Sequence, residues 1–422
     1  MELALTSLHP SVFKSFSKEK IYLSFSKEIN KDLLCVRIMP MERHTVLHKE
    51  HRLDEEQRYP LCSIFKDEKG FYTEYEFANE QQYSVSIEYN GEVVTRTHIY
   101  AVDSDLSVLK CFKGDTHLHT CRSDGTGTPF EVATGYRAQG FDFICVTDHH
   151  KFEPSLEAKA EIEPLTDVYK VFSGEEVHNK NMGSIHIVNF GGEKSVNELI
   201  ENNPEYVENQ IEEIIKERNL STLFDPYTAA FRIFVAGQIR KAGGVAILAH
   251  PFWEAYGEYN MPVEEAELLL SADDYDAVEI LGSCDNFDHG NNLVEMLKNE
   301  LALKGKDLSV VGSSDAHVLK NGGWCQHFDV NFTLVFAKDF DDIKTAIKDK
   351  RSVAVEKHDD KNFRAIGKFR LVKYVRFLMR DYFPRYKTLT ALHAEAIRSK
   401  DNVQIAKAEE KIKEFNKRFF AF

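Results

Sequence analysis

The segment Cys111-Phe112-Lys113-Gly114-Asp115-Thr116-His117-Leu118-His119 decides the fold of this chain, because a short strand-like stretch runs directly into two histidines spaced by one residue. Residues 141–149, 244–250 and 308–317 repeat this plan, each with a metal-binding side chain at or just after its apolar run. Side chains at the carboxyl ends of successive buried strands converge on one mouth in an α/β barrel. We therefore expect an α/β fold in which these side chains meet.

Residues that can bind a metal ion occupy nine positions of this kind: His117, His119, Asp124, His149, Glu176, His186, His250, Asp315 and His317. Imidazoles and carboxylates without thiolates suit Zn, Mn or Fe. A single buried histidine is more often a hydrogen-bonded structural residue than a ligand, so the argument depends on the whole set. Because nine groups exceed what one ion can use, the sequence predicts a site for two or three divalent metal ions.

The motifs around these residues resemble the PHP (polymerase and histidinol phosphatase) family of metal-dependent phosphoesterases. The matching stretches are residues 114–120, 123–125, 146–149, 174–177, 186–188, 248–251 and 312–317. They follow the family's order over residues 111–357, and the resemblance implies a distorted (β/α)7 barrel of PHP type. The family pattern Gly-x-Glu selects Glu176, and alternation along a strand would point Glu175 to the opposite face.

The resemblance also implies how the ligands are shared among ions. His117, His119, Glu176 and Asp315 would hold the first; Glu176, His186 and His250 the second; Asp124, His149 and His317 the third. Glu176, Asp315 and His250 are the expected catalytic residues, around water that two ions activate for attack on phosphorus. The Gly-x-Ser-x-Gly and P-loop motifs are absent from the sequence, which argues against a serine hydrolase or an NTPase.

Several further residues are candidates for roles around the metal site. Arg122, between the two histidines and Asp124, could hold a phosphate through two parallel hydrogen bonds. His150 is a second candidate for substrate contact, although His150, His178 and His289 have the alternative of ordinary solvated loop histidines. Weaker candidates for substrate contact are Arg232, Arg240 and Trp253. Asp115 and Asp148 are expected to orient imidazoles.

Charge favours a small substrate. The chain carries −15 overall, but residues 361–422 hold 16 Lys/Arg and 6 Asp/Glu, so this segment carries +10 and the rest −25. So acidic a body would repel a nucleic-acid backbone over most of its surface. Bound cations would still make the pocket itself positive, so an anionic substrate fits.

The remaining composition indicates a cytoplasmic protein. An apolar run of 18 residues is absent, and the first residues lack the features of a signal peptide, so no membrane span or secretion is expected. The seven cysteines are scattered and include no Cys-x-x-Cys pair, which is typical of reduced thiols.

The pattern divides the chain into three parts. Residues 1–110 alternate like strands and include the hairpin signal Asn90-Gly91, which predicts an antiparallel β-sandwich. Residues 111–357 alternate strand and helix, with an insertion at about 194–240 expected to cover the mouth of the site. Residues 358–422 are a basic helical tail. The tail either packs its apolar face on the protein, contacts another copy, or meets nucleic acid or a membrane surface; the sandwich is another candidate surface for homo-oligomer formation.

Hydrolysis of a small phosphomonoester or nucleotide is the function that this pattern favours. One alternative is a 5′-to-3′ exonuclease or oligonucleotide phosphodiesterase, with the basic tail guiding the strand, which would make nucleic acid a partner. An alternative of a different class is a non-catalytic, metal-binding regulatory module. The complete ligand set argues against that last alternative, because a site that had lost its activity is expected to lose ligands.

Overall fold

A computed structural model describes residues 3–42, 61–179, 182–223, 225–255, 257–282, 288–317, 329–359 and 362–422. The chain forms two compact units. The first contains Met1–Leu109, Lys373–Tyr386 and Glu410–Phe422, and the second contains Lys110–Val372 and Lys387–Glu409. Among the described residues, no helix is both long and apolar enough to cross a lipid bilayer.

The first unit is built mainly from strands: β1 (Leu5–His9), β2 (Val12–Lys14), β3 (Ser17–Phe25), β4 (Leu34–Pro40), β5 (Ile64–Asp67), β6 (Gly70–Phe77), β7 (Gln81–Tyr89) and β8 (Glu92–Val102). In the described ranges they form two four-stranded sheets, ordered β1-β3-β6-β5 and β2-β8-β7-β4, which share one apolar core. Asn90 and Gly91 both have positive φ, as a two-residue hairpin turn between β7 and β8 requires. The hairpin prediction is confirmed.

The second unit alternates strands and helices. Its strands are β9 (Lys110–Asp115), β10 (Phe143–Cys145), β11 (Lys170–Phe172), β12 (Gly174–Asn179), β13 (Met182–Phe190), β14 (Val245–Leu248), β15 (Glu254–Ala255), β16 (Glu258–Tyr259), β17 (Ala277–Leu281), β18 (Val310–Gly312), β19 (Asn331–Ala337), β20 (Ser352–Lys357) and β21 (Phe363–Gly367). Its helices are α1 (Pro129–Ala138), α2 (Glu153–Ile162), α3 (Val196–Asn202), α4 (Pro204–Glu217), α5 (Pro226–Lys241), α6 (Val263–Ser271), α7 (Asp288–Leu303) and α8 (Ile343–Lys348). The chain is therefore of mixed α/β class.

Two sheets carry the candidate ligands. Within the described residues their strand orders are β11-β10-β9-β19-β20-β21 and β12-β13-β14-β17-β18. Neighbours β9–β10–β11 and β14–β17–β18 run parallel, whereas β12–β13–β14 and β9–β19–β20–β21 run antiparallel. Antiparallel pairs need only short connections, which explains why several strands follow one another without an intervening helix. Isolated parallel bridges join His149 to Glu176 and Leu118 to Ala316 across the two sheets.

Local sequence signals explain the helix positions. The side chain of Thr128 accepts a hydrogen bond from the backbone N–H of Glu131, and the side chain of Glu131 accepts one from the backbone N–H of Thr128. Pro129 occupies the first turn, so α1 begins where the sequence predicts. In the insertion, Ala230, Phe234 and other buried residues of α5 pack in the same apolar core as β13 and β14. Helix α5 of the insertion therefore packs against the sheet that contains β13 and β14. Coverage of the site by the insertion stays a prediction.

The C-terminal segment differs from the expected helical tail. It includes a strand, β21, which pairs antiparallel with β20 and extends a sheet of the second unit. Three helices follow: α9 (Phe369–Asp381), α10 (Phe383–Ser399) and α11 (Asn402–Phe419). In the first unit Phe377 of α9 is buried against Tyr100, and in the second His393 of α10 is buried against Arg137. Of the alternatives for this segment, the structure therefore has the one in which its helices pack buried faces on the protein, α9 within the first unit and α10 within the second.

Candidate metal centre

Six strands position eight of the nine predicted ligands, and the ninth, Asp124, lies on a loop. The histidines 117 and 119 follow β9, His149 follows β10, Glu176 lies on β12, His186 on β13, His250 follows β14, and Asp315 and His317 follow β18. Because these strand ends lie side by side, residues from distant parts of the sequence meet in one cluster. The structure brings all nine together.

Glu176 lies at the centre of this cluster and is fully buried. Its Oε1 is 2.7 Å from Nδ1 of His186 and 3.6 Å from Nε2 of His250. Its Oε2 is 2.7 Å from Nδ1 of His149 and 3.3 Å from Nε2 of His117. One carboxylate therefore faces imidazoles on both sides, as a group shared between two cations would.

Asp124 reaches the cluster from a loop and gathers a second group of donors. Its Oδ2 is 3.4 Å from Nε2 of His149 and 3.3 Å from Nε2 of His317, and its Oδ1 is 3.9 Å from Nδ1 of His119. Gly125 allows the loop to fold this closely, because a Cβ there would lie 2.8 Å from the carbonyl carbon of His119. The absence of a side chain at Gly125 thus allows Asp124 to reach the cluster.

Asp315 is the third carboxylate of the cluster and lies beside three of its imidazoles. Its Oδ1 is 2.9 Å from Nε2 of His119 and 3.3 Å from Nε2 of His117, while its Oδ2 is 3.8 Å from Nε2 of His250. The Nε2 atoms of His117 and His119 lie 3.2 Å apart. Two imidazole nitrogens at this distance need a proton or a cation between them, and the carboxylates beside them supply the negative charge for a cation.

The donors fall into sets that fit divalent metal ions. Within this cluster, four sets have one ligand atom per residue with all atoms within 4.8 Å of one another: His119, Asp124, His149 and His317; His149, Glu176, His178 and His186; His117, His119 and Asp315; His117, Glu176 and His250. In the part of the chain that the structure describes, Nδ1 of His119 and Nδ1 of His250 are buried without a hydrogen-bond partner. Imidazole and carboxylate sets of three or four are those that Zn, Mn and Fe use.

The structure adds Glu279, which the sequence analysis missed. This fully buried carboxylate on β17 has Oε1 2.9 Å from Nδ1 of His117 and Oε2 accepting the backbone N–H of His250 at 3.1 Å. A carboxylate that receives the Nδ1 proton leaves Nε2 of the same ring free for a metal ion. The available signal was a lone acidic residue within the apolar run Ala277-Val278-Glu279-Ile280-Leu281.

His178 also lies in the cluster. It follows Glu176 by two residues on β12, and its side chain is 9% exposed. Its Nε2 is 2.7 Å from Nδ1 of His149 and 3.3 Å from Oε2 of Glu176. The interpretation of His178 as a solvated loop histidine is therefore wrong, because its position on the same strand face as Glu176 buries it among the ligands.

Asp115 and Asp148 accept hydrogen bonds from backbone N–H groups and hydroxyls rather than from imidazoles. Asp115 accepts the backbone N–H groups of His117 and Ser314, and Asp148 accepts N–H and O–H groups of Thr120 and Ser123. The expectation that they orient imidazole rings is wrong, since their partners fix the segments that carry the ligands. Burial raises the pKa of Asp115 to about 7, an effect that its hydrogen bonds only partly oppose.

Strained backbone accompanies the ligands. His150, His250 and Asp315 have φ of 58°, 21° and 50°, in or beside the left-handed region that residues other than glycine rarely adopt. Each such residue costs on the order of 1–3 kcal/mol and persists only where its surroundings enforce it. Such outliers concentrate at functional sites, and here three of them adjoin one cluster.

The protonation of the cluster reflects its mixed charges. Burial alone would lower the pKa of His149, but Glu176 and Asp124 outweigh it and raise that pKa to about 10. For His119 burial dominates and lowers the pKa to about 3, and burial likewise lowers the pKa of His186 to about 4. Against the effect of burial, neighbouring imidazoles hold the pKa of Glu176 well below its ordinary value. The carboxylates thus favour protonation of His149, and a metal ion at this ring must compete with that proton.

Glu175 faces away from the cluster. It accepts hydrogen bonds from Ser195, Val196, Asn189 and Asn197, and so ties β12 to the start of α3. Burial raises its pKa, while these hydrogen bonds act in the opposite direction. Its place opposite Glu176 is the one that strand alternation gives.

The candidate substrate contacts lie around the cluster with partners of their own. Arg122 forms two hydrogen bonds with Glu157, at 2.9 and 2.6 Å, and both side chains are exposed. The ring of His150 lies 4.9 Å from that of His178. Trp253 lies 5.8 Å from the ring of His186 and 5.7 Å from that of His250.

The other two arginine candidates lie in ion pairs. Arg232 is buried against Glu265, and Arg240 pairs with Asp276 at 3.2 Å. These partners explain the two arginines as parts of the packing of the second unit. The side chain of His289 lies outside the described part of the structure.

Among solved structures, three similar ones come from bacteria. A two-domain protein from Bacteroides vulgatus, described as containing a predicted PHP-like metal-dependent phosphoesterase, is 18% identical; the match covers 58% of this chain and 65% of that one, with a TM-score of 0.39. A candidate metal-dependent phosphoesterase from Bifidobacterium adolescentis is 18% identical over 56% of this chain and 95% of that one, with a TM-score of 0.38. An amidohydrolase from Chromobacterium violaceum is 19% identical over 51% and 90%, with a TM-score of 0.35.

The first two structures bear the class name that the motifs of this chain indicate. No family model matches the chain, and no curated protein matches it. With all three TM-scores below 0.5, the function of this chain has to be inferred from its own residues.

Proposed function

We propose that this chain is a metal-dependent phosphoesterase that hydrolyses a small phosphomonoester or nucleotide at a site for two or three divalent ions. The observation that carries the proposal is the convergence of imidazole and carboxylate atoms into sets within 4.8 Å of one another. Glu176, shared by two of these sets, is the proposed bridging and catalytic carboxylate, together with Asp315 and His250. Zn, Mn and Fe all suit these donors.

We also propose that the two sheets of the second unit close into a distorted barrel of PHP type, with seven strands around the site. The bridges His149–Glu176 and Leu118–Ala316, each between segments of different sheets, support closure. The residues that they join are ligands or neighbours of ligands, so closure and formation of the site depend on the same contacts.

The residues of the chain prepare the site for this chemistry. When bound, divalent ions would lower the pKa of coordinated water and neutralise charge that develops on phosphate oxygens. A proton on Nδ1 of His117 would be accepted by Glu279, which would leave Nε2 of that ring free to hold an ion. Asp148 fixes the loop from Thr120 to Ser123 and thereby the position of Asp124. The ligand geometry is thus set by hydrogen bonds of buried groups before any substrate arrives.

Charge and surroundings support a small substrate. The charge of −25 outside the C-terminal segment disfavours a polyanion, and the repulsion weakens as salt increases. Trp253 beside His186 and His250 offers an apolar surface next to the ligands. Direct substrate contacts by Arg122 and His150 stay predictions, since a phosphate would have to compete with Glu157 for the guanidinium of Arg122.

The test compares substrates and traces the oxygen of water. The metal-loaded protein should hydrolyse nucleoside monophosphates or sugar phosphates with a higher kcat/KM than short RNA or DNA. In ¹⁸O-labelled water, one labelled oxygen should enter the phosphate product without a trapped phosphoenzyme. Faster hydrolysis of oligonucleotides would replace this proposal with the exonuclease function. Absence of turnover on both substrate classes by a fully metal-loaded protein would favour the regulatory module.

A further inference from the structure

His178 occupies a position in the cluster to which the motif resemblance gives no role. It points to the same face of β12 as Glu176, because residues two apart on a strand share a face. Its ring centroid is 4.4 Å from that of His149 and 4.3 Å from that of His186. It therefore lies between residues that the resemblance assigns to two different ions.

The atoms around Nε2 of His178 favour a cation over a simple hydrogen bond. This nitrogen is 2.7 Å from Nδ1 of His149 and 3.3 Å from Oε2 of Glu176. The same Oε2 is 2.7 Å from Nδ1 of His149, so the three atoms form a small triangle. A single proton can form a hydrogen bond between only two of these three atoms. A cation at their meeting point satisfies all three.

The backbone holds His178 in place independently of its ring. Asn197 accepts the backbone N–H of His178 at 3.2 Å, and its Nδ2 donates to the backbone carbonyl of Glu176 at the same distance. The segment that carries both side chains is thereby fixed to α3. A fixed strand segment reduces the entropy that His178 would lose when it binds an ion.

We propose that His178 is a tenth metal ligand, completing a four-residue set with His149, Glu176 and His186. The four donor atoms lie within 4.8 Å of one another. Four protein ligands are typical of an ion that stays bound, whereas catalytic ions keep an open position for water or substrate. An ion in this set would therefore be retained longer during chelation than one bound by a three-residue set. The inference rests on the metal centre of the proposed function.

The experiment counts ions and measures their affinity in three variants and the wild type. His178→Gln keeps a hydrogen-bonding side chain but is a poor ligand, and His178→Asp supplies a new ligand. His150→Gln is the matched control, because His150 neighbours His178 but belongs to none of the donor sets found among the described residues. Proteins are dialysed against Zn²⁺, analysed for metal, and titrated with a competing chelator; absorption of Co²⁺-loaded protein reports coordination.

We expect His178→Gln to lose one ion, or to bind one of its tightly held ions about 10- to 100-fold more weakly, the range that changes near a metal produce. His178→Asp should retain that ion, and His150→Gln should match the wild type in ion count, metal affinity and Co²⁺ spectrum. A His178→Gln protein with the wild-type ion count, affinity and Co²⁺ spectrum would overturn the inference and leave the proposed function intact. A wild type that binds no more than one ion would overturn both.

Discussion

Oε1 of Glu279 lies 2.9 Å from Nδ1 of His117, deep in the second unit where both side chains are fully buried. The other oxygen of the same carboxylate accepts the backbone N–H of His250. Glu279 is therefore positioned to select the tautomer of one predicted ligand, and it fixes the backbone N–H of another. It does so without facing the proposed ions itself, which makes it a positioning residue.

The first prediction is that Glu279→Gln weakens metal binding. An amide can present its N–H₂ group to His117, which would favour the wrong tautomer and turn the Nε2 proton towards the ions. We expect metal affinity to fall about 10- to 100-fold, as measured by chelator competition. Glu264→Gln, at an exposed position on α6, is the control. Unchanged affinity in a folded Glu279→Gln protein would show that the hydrogen bond does not select the tautomer.

The second prediction separates two adjacent glutamates. Glu176→Gln should lose at least one ion and reduce turnover at least about 100-fold, because its carboxylate lies near six imidazoles, five of which are assigned to the three ions. Glu175→Gln should keep its ions and most turnover. It should lower the free energy of unfolding by about 3 kcal/mol, since an amide oxygen replaces only part of the four hydrogen bonds that the carboxylate accepts.

Metal analysis, steady-state kinetics and denaturant titration of the two glutamate variants measure these effects. The reverse pattern, with metal lost in Glu175→Gln and retained in Glu176→Gln, would place the wrong carboxylate at the centre of the site.

Much of the candidate site could be predicted from local sequence. Strand ends, the spacing of two histidines and the alternation of Glu175 and Glu176 are features of short segments, so they indicated which side chains would meet. Helix α1 could be placed in the same way, because Thr128, Pro129 and Glu131 are within one turn of each other. Local rules suffice where the determining contacts are local.

Glu279 and His178 could not be assigned in this way. Their roles depend on which strands are neighbours: β17 beside β14 brings Glu279 to His250, and the His149–Glu176 bridge brings His178 to His149. Such contacts between distant segments have no local signature. The strand β21 was not predicted for a related reason, since its pairing with β20 is a contact that the adjoining helical pattern does not indicate.

The third prediction concerns stability at low pH and uses His393. Its Nδ1 accepts a hydrogen bond from Nε of Arg137 at 3.0 Å. Burial, and then the positive charge of Arg137, lower the pKa of His393 from 6.5 to about 3. Between about pH 3 and pH 6.5, His393 is protonated in the unfolded chain but not in the folded protein. Stability from this group is therefore present above pH 6.5 and is lost as the pH falls towards 3.

The measurement compares the wild type with His393→Gln, which keeps an acceptor for Arg137 but does not titrate. Between pH 7 and pH 5 the free energy of unfolding of the wild type should fall by about 2 kcal/mol more than that of the variant. Denaturant titrations at both pH values give this difference, and losses common to both proteins, such as metal release, cancel. Equal losses would mean that His393 is protonated in the folded protein.

The central claim is that the convergent histidines and carboxylates form a multinuclear metal centre, and elemental analysis tests it most directly. Protein purified without chelator, and a second sample supplemented with Zn²⁺, Mn²⁺ or Fe²⁺ and then dialysed, are analysed for bound metal per chain. We expect two or three ions in the supplemented protein and a higher count than in Glu176→Gln. One ion or fewer per folded chain, in both samples, would contradict the account.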